Sequence, residues 1–307
     1  LNKIRELSDI VREIPDRGAE IGLGGFIINR CCMAFAAELI RQGKKEIELT
    51  SVSGNMESDL LVGAGCVKSY AYGGGSLDHF GRLSRVNEAI EQGRYNIKEF
   101  SNLSMALRMT AGTMGVPFIP TKTLLGTDML EKLLADKEDS VYIGESPFDG
   151  ERYVFLKKLQ PEYVCIHAQA ADELGNVLIE GPVWDLETAK AGKKLIVTAD
   201  RLVSNQYVKN NQDKVTIPGV YTYAVAIVPY GAFPAAVYKE YDYDAEALTH
   251  YAKINQKQET FDEYLNEYIL GTKDHNELLE KWGGLARMNA LRADPAYGYV
   301  KGGGGHQ

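Results

Sequence analysis

The chain has 307 residues, 45% hydrophobic and 25% charged, with 34 Lys and Arg against 42 Asp and Glu, a formal net charge of -8. At about 150 residues per domain this is one large or two ordinary globular domains, big enough to bury a core without disulfide or metal staples. The acidic balance argues against a nucleic-acid partner or an anionic membrane surface, which need clustered Lys and Arg, and no apolar run approaches the roughly 18 residues of a membrane span.

From Ala19 the chain reads Ala-Glu-Ile-Gly-Leu-Gly-Gly-Phe, an apolar stretch broken by glycines, and residues 33–40 then show the spacing of a helix closing near Gly43. The unit recurs: 46–52 reads as strand and 56–62 as helix, 67–72 as strand running into Gly73-Gly74-Gly75, and 80–92 as helix. Residues 95–100 make a short strand or extended loop, 103–114 a helix closed by Gly115, and 116–120 another strand. This alternation predicts an α/β fold on an open, mostly parallel sheet with flanking helices, its ligand edge at the carboxyl ends of the strands, where the glycine turns lie. Residues 140–151 are rich in turn formers, while 153–156, 163–168, 177–179, 194–198 and 223–228 read as strands, with a turn at 172–176. The stretch 244–282 is polar, helical and tyrosine-rich, with Gly283-Gly284 as its stop. Residues 238–282 carry 11 acidic and 5 basic side chains, which favours covering the core over forming a buried interface. No repeat or linker divides the chain, which reads as a single domain over 1–300 with a disordered tail at 301–307.

Cys31, Cys32, Cys66 and Cys165 follow no metal-ligand spacing and read as reduced core thiols. No metal is expected. With no secretory pattern in residues 1–12, a cytoplasmic protein is the simplest reading. The turn Gly22-Leu23-Gly24-Gly25-Phe26 sits where a strand hands over to a helix, so its N–H groups either face an anion or oxyanion or make a tight turn without ligand. It lacks the spaced dinucleotide fingerprint. Three consecutive glycines before Ser76 exceed what a turn type requires, so either something approaches the backbone closely, with Ser76 a donor to it, or the loop is simply flexible. Arg82 and Arg85 follow as candidates for a substrate carboxylate, or as solvated helix charges. Ser101 or Asn102 caps the next helix; a cap accounts for one of them and leaves Asn102 for a thioester or carboxylate oxygen. His167, on an apolar strand, reads as a core histidine, and Asp242 and Asp244 as turn and cap residues. No nucleophile and base stand together, which suggests that the missing group comes from another chain.

A series of landmarks carries a resemblance. They are Gly24-Gly25-Phe26 with Asn29-Arg30, Arg41-Gln42-Gly43, Gly65-Cys66-Val67-Lys68, Val116-Pro117-Phe118-Ile119-Pro120 and Leu125-Gly126-Thr127. Further on come Ser146-Pro147-Phe148, Ile166-His167-Ala168-Gln169, Ile217-Pro218-Gly219, Val228-Pro229-Tyr230-Gly231-Ala232, Tyr241-Asp242-Tyr243-Asp244 and Lys273-Asp274-His275. In this order the chain resembles the A (alpha) subunits of the family I CoA-transferases, the glutaconate branch in particular, over nearly its whole length. The resemblance implies an open α/β fold and a heteromer of A (alpha) and B (beta) subunits, a heterodimer or higher assembly with active sites at the interface. It implies a coenzyme A thioester as substrate, no permanently bound cofactor, and ping-pong transfer through a glutamyl-CoA thioester. The nucleophilic glutamate is expected on the B subunit; Glu145 of this chain is not nominated, and no catalytic residue is assigned here. This chain would supply Gly24, Gly25 and Phe26 as oxyanion donors, Ser101 and Asn102 toward the reacting carbonyl, and Gly74, Gly75, Ser76 and Arg85 toward the acid. The loop at 73–76 departs from the glutaconate pattern, so the acid could be another short carboxylic or dicarboxylic acid. A related branch of heteromeric ring-opening hydrolases, acting on cyclic β-keto acyl-CoA compounds, is similar at Ser76-Leu77-Asp78 but carries an acid near position 102, where this chain has an amide. A non-catalytic acyl-CoA-binding relative is the third alternative.

Overall fold

The structure, a computed structural model, describes residues 2–181, 183 and 185–300; the tail expected at 301–307 lies outside them. The first half alternates strand and helix: α1 (Leu7–Arg12), β1 (Glu20–Leu23), α2 (Met33–Arg41), β2 (Ile47–Ser51), α3 (Met56–Gly63), β3 (Val67–Tyr72), α4 (Ser84–Glu91), β4 (Asn96–Glu99) and α5 (Asn102–Met114). Next come β5 (Phe118–Thr121), α6 (Asp128–Ala135), β6 (Val141–Glu145), β7 (Arg152–Lys157), β8 (Tyr163–Asp172), β9 (Val177–Leu178), α7 (Leu186–Ala191) and β10 (Lys194–Val203). The chain closes with α8 (Asn205–Asn210), β11 (Val215–Ile217), β12 (Thr222–Ile227), α9 (Ala245–Ile254), α10 (Gln258–Tyr264), α11 (His275–Lys281) and α12 (Gly284–Leu291).

Strands β4, β3, β2, β1, β8, β10 and β12 lie side by side in that order, every neighbouring pair parallel. Strand order reverses between β1 and β8, so the crevice between their carboxyl ends is the topological switch point. The strands read as continuous apolar runs because both faces are covered. Alternate residues show it: Tyr163, Cys165, Ile196, Ala224 and Ala226 pack into one core, Val164, Ile166, Leu195, Val197 and Val225 into the other. The first core also holds Leu248, Tyr251, Phe261, Ile269 and Leu278, so the acidic C-terminal helices cover the sheet.

Three local expectations are corrected. Strand β5 does not join the parallel sheet: it pairs antiparallel with β7, as does β6, and β6 occupies the stretch read as turn formers. The fourth helix starts at Ser84 rather than at residue 80, because the N–H of Leu77 bonds the carbonyl of Gly81 (2.9 Å) and closes residues 77–81 into a turn. The Gly283-Gly284 stop is a corner, Gly283 (φ 103°) preceding a further helix, α12.

A buried polar cluster fastens the C-terminal helices down. Asp59 of α3 accepts the N–H groups of Arg85 (2.9 Å) and Val86 (3.0 Å), the hydroxyl of Tyr251 (2.9 Å) and the amide of Asn255 (3.1 Å). Burial still pushes its carboxyl up to about 6. His275 of α11 bonds through Nε2 to the Tyr230 carbonyl (2.9 Å), which makes it the N–H tautomer at that atom, and burial lowers its pKa to about 4.

These shifts oppose each other with pH. The unfolded imidazole takes a proton near 6.5 and the folded one near 4, so the His275 contribution is whole above pH 6.5 and is lost as pH falls through that window. At 1.36 kcal/mol per unit the whole effect is about 3 kcal/mol. Asp59 acts in the other sense, its stabilising share returning as pH falls from 6 toward 3.8. His275→Gln is therefore expected to lose more stability relative to wild type at pH 7 than at pH 4.5. Urea midpoints of both chains at the two pH values check it; an equal gap at both would refute the assignment.

Candidate active site at the carboxyl edge of the sheet

Four loops meet where β1, β2, β3 and β4 end. After β1 the chain makes Gly24 and Gly25. A Cβ on Gly24 would lie 2.8 Å from Ile166 Cγ2 and 2.9 Å from Asp185 Cβ, so the crevice is closed by packing that needs glycine. Three N–H groups expected as oxyanion donors already have acceptors: Gly24 donates to the Cys165 carbonyl (2.9 Å), Gly25 to Asp185 Oδ2 (3.2 Å) and Phe26 to the Asn29 carbonyl (2.9 Å). That expectation is corrected, since a donor already committed to an acceptor within the chain is not aimed at a ligand.

Beneath this loop lies an ion pair that no sequence pattern announces. Arg30 Nη1 is 2.9 and 2.7 Å from the carboxylate oxygens of Asp185, and both side chains are buried. The pair ties the β1 loop to the start of α7. Beside it Asn55, in the loop after β2, donates to the Gly24 carbonyl (3.4 Å) and to Glu57 Oε1 (3.1 Å), which also accepts the N–H of Cys32 (3.3 Å). Burial raises the Glu57 carboxyl and pushes the Cys31 and Cys32 thiols well up, so these sulfurs are core groups rather than nucleophiles. His167 is a core histidine, as its strand position predicts, with Nδ1 2.9 Å from Thr198 Oγ1 and Nε2 3.2 Å from Asp200 Oδ2.

The triple glycine has a physical cause: the chain approaches itself. A Cβ on Gly73 would fall 2.4 Å from the Val52 carbonyl oxygen and 2.7 Å from Asn102 Cα, and one on Gly75 2.3 Å from the Gly54 carbonyl oxygen. Gly54 N–H donates to the Gly74 carbonyl (2.7 Å), locking the β2 and β3 loops together. Gly74, Gly75, Ser101 and Asn102 thus come to one place, with a Cβ on Gly74 3.7 Å from Asn102 Oδ1. Ser101 is the cap of α5, accepting from Ser104 N–H (3.1 Å). Asn102 is the first helical residue and half-buried; among the described residues its amide has no hydrogen-bond partner.

Arg85 is not at this edge. It is 1% exposed, with its guanidinium on the Asn255 carbonyl, Gln258 Oε1 (3.1 Å) and Glu88, under the C-terminal helices. Its expected role toward the acid is therefore corrected. Ser76 stays at the edge, its Oγ accepting from Asp78 N–H (3.0 Å). Chemically, the edge offers an amide and tightly packed backbone, while the thiols, His167 and the Arg30–Asp185 pair are committed elsewhere. No group of three or more His, Cys, Asp or Glu among the described residues could hold a metal ion, and no helix there is long and apolar enough to cross a membrane.

The family model of the coenzyme A transferases matches residues 5–227. The A subunit of glutaconate CoA-transferase from Acidaminococcus fermentans is 31% identical, over 97% of this chain and 97% of its own length. The crystal structure of glutaconate coenzyme A-transferase from that organism matches with a TM-score of 0.90, covering 97% of this chain and 98% of that one. The A subunit of 3-oxoadipate CoA-transferase from Pseudomonas knackmussii is 32% identical over 90% of this chain and 96% of its own length. The cholesterol ring-cleaving hydrolase IpdA subunit of Mycobacterium tuberculosis is more distant, 22% identical over 92% of this chain and 98% of its own length. The chain belongs to the coenzyme A transferase family.

Proposed function

We propose that this chain is the A subunit of a heteromeric CoA-transferase that moves CoA from an acyl-CoA such as acetyl-CoA to a short carboxylic or dicarboxylic acid. The observation that carries the reading is the unpartnered amide of Asn102 beside the glycine loop, at an edge whose thiols and histidine are committed to the core. Such an edge can hold a thioester or carboxylate oxygen but needs a nucleophile from outside. A glutamate of a B subunit supplies it: the carboxylate attacks the acyl-CoA, expels the CoA thiolate and forms an anhydride. The thiolate then attacks the glutamyl carbonyl, releasing the donor acid and leaving a glutamyl-CoA thioester. The acceptor carboxylate runs the same steps in reverse, leaves as acyl-CoA and restores the glutamate.

The relatives named as A subunits support a two-chain enzyme, and free cysteines suit a cytoplasmic one. Ring-opening hydrolysis needs a base at this edge, and an amide cannot serve as one, which favours transfer. The test is CoA exchange between acetyl-CoA and a panel of short mono- and dicarboxylic acids, with the chain alone and with its B partner. Exchange is expected in the mixture only, with a borohydride-trapped glutamyl thioester. In that complex Asn102→Ala is expected to lower kcat about 10- to 100-fold by removing one hydrogen bond to the charged reacting oxygen. Water as sole acceptor would move the assignment to the hydrolase, acyl-CoA binding without turnover to a non-catalytic relative, and turnover within twofold for Asn102→Ala would displace the site.

A further inference from the structure

We infer that Arg82 reads the second carboxylate of a dicarboxylic acceptor acid; the inference rests on the CoA-transfer reading and names a specificity residue for it. The turn after the glycine loop decides where Arg82 begins. Gly73 and Gly75 pin the loop against Asn102 and Gly54, so Ser76 leaves from a fixed point at the edge. The 2.9 Å bond from Leu77 N–H to the Gly81 carbonyl then brings the two ends of the turn together, so Arg82 starts beside Ser76. The turn is anchored as well as closed: Phe80 meets the Tyr243 ring edge-on at 5.5 Å, and His79 lies against Phe80 at 4.0 Å.

The cations near this edge differ in what they face. Arg30 is paired with Asp185, Arg85 is buried on Glu88, Gln258 and the Asn255 carbonyl, and His79 has the Asp78 carboxylate 4.0 Å away. Arg82 is exposed, and its carbonyl accepts from the Asn255 amide (3.3 Å). Among the described residues its guanidinium has no carboxylate within 4.0 Å and no hydrogen-bond acceptor. In a chain of net charge -8 an anionic acid gains nothing from the general field. One carboxylate has to lie at Asn102 to react; the other needs a local counter-charge, and a guanidinium fork matches a carboxylate with two parallel hydrogen bonds. The hydroxyl of Ser76, which accepts from Asp78 N–H, keeps its own hydrogen to donate to the acid.

The experiment uses the assembled complex with its B subunit, acetyl-CoA as donor, and glutarate and pentanoate as acceptors, which differ in the distal carboxylate. Arg82→Ala is expected to lower kcat/KM for glutarate by roughly 10- to 150-fold, mostly through KM, the range of a charged hydrogen-bonded contact. Pentanoate should stay within threefold, and Arg82→Lys should recover part of the glutarate loss. Equal losses for both acids, or an unchanged glutarate value, overturn the inference. If the wild-type complex transfers CoA to neither acid, the transfer reading is decided separately by the wider acid panel, and calorimetric binding decides about Arg82. Weaker glutarate binding to Arg82→Ala with unchanged pentanoate binding upholds it, and equal glutarate binding by both proteins overturns it.

Discussion

Asp185→Ala is expected to destabilise the protein by about 3–5 kcal/mol, because it leaves the buried Arg30 guanidinium without its carboxylate. The same change removes the acceptor for Gly25 N–H, a further buried donor. For a chain of this size the fall in melting temperature is on the order of 10 °C. Asp185→Asn, which keeps an oxygen for Gly25 but not the charge, should fall between the two. The informative partner is Arg30→Met with Asp185→Leu: removing both charges removes the desolvation cost of each, so the double variant should lie above the single one despite carrying one more substitution. Thermal melts of the four proteins make the comparison. If Asp185→Ala melts within 1 °C of wild type, the pair is not holding the β1 loop.

What is legible in the sequence follows from how local the information is. Strands β2 and β3 and helices α2, α3 and α5 lie where the periodicity predicts them, since each buries a face that its own residues define. Strands β5, β6 and β7 have short, mixed patterns, and nothing in a short strand states whether its neighbour runs parallel or antiparallel. At the site, three glycines in a row announce a close approach, but the approaching groups, the Val52 and Gly54 carbonyl oxygens, belong to another loop. Arg85 departs from expectation because a charged residue is ordinarily exposed; it is buried since Asn255 and Gln258, 170 and 173 residues on, provide acceptors. Asp185 is 155 residues from Arg30, and no spacing rule joins such a pair. The resemblance reaches the fold and the family, but it does not reveal that the N–H groups of Gly24, Gly25 and Phe26 are already bonded.

Gly75→Ala is expected to cost the assembled enzyme at least about 100-fold in kcat, although alanine is the smallest possible addition. The new methyl would sit 2.3 Å from the Gly54 carbonyl oxygen, and both sides of that contact are backbone, so no side chain can swing away. Relief requires the β2 and β3 loops to part, which lengthens the 2.7 Å bond from Gly54 N–H to the Gly74 carbonyl. Gly73 and Gly74, packed on Asn102, move with the loop, and a displacement of about 1 Å at a positioning residue is enough for such a loss. Stability should fall by about 1–3 kcal/mol, the usual cost of forcing volume into packed structure. Gly93→Ala is the control. At φ 63° it strains the backbone by about 1–2 kcal/mol, yet a Cβ there meets nothing within 4 Å and the residue follows α4, away from the edge. It should lose comparable stability and keep its turnover. Equal activity in the two variants at matched folded fraction would mean that the glycine loop holds the fold and not the reacting groups.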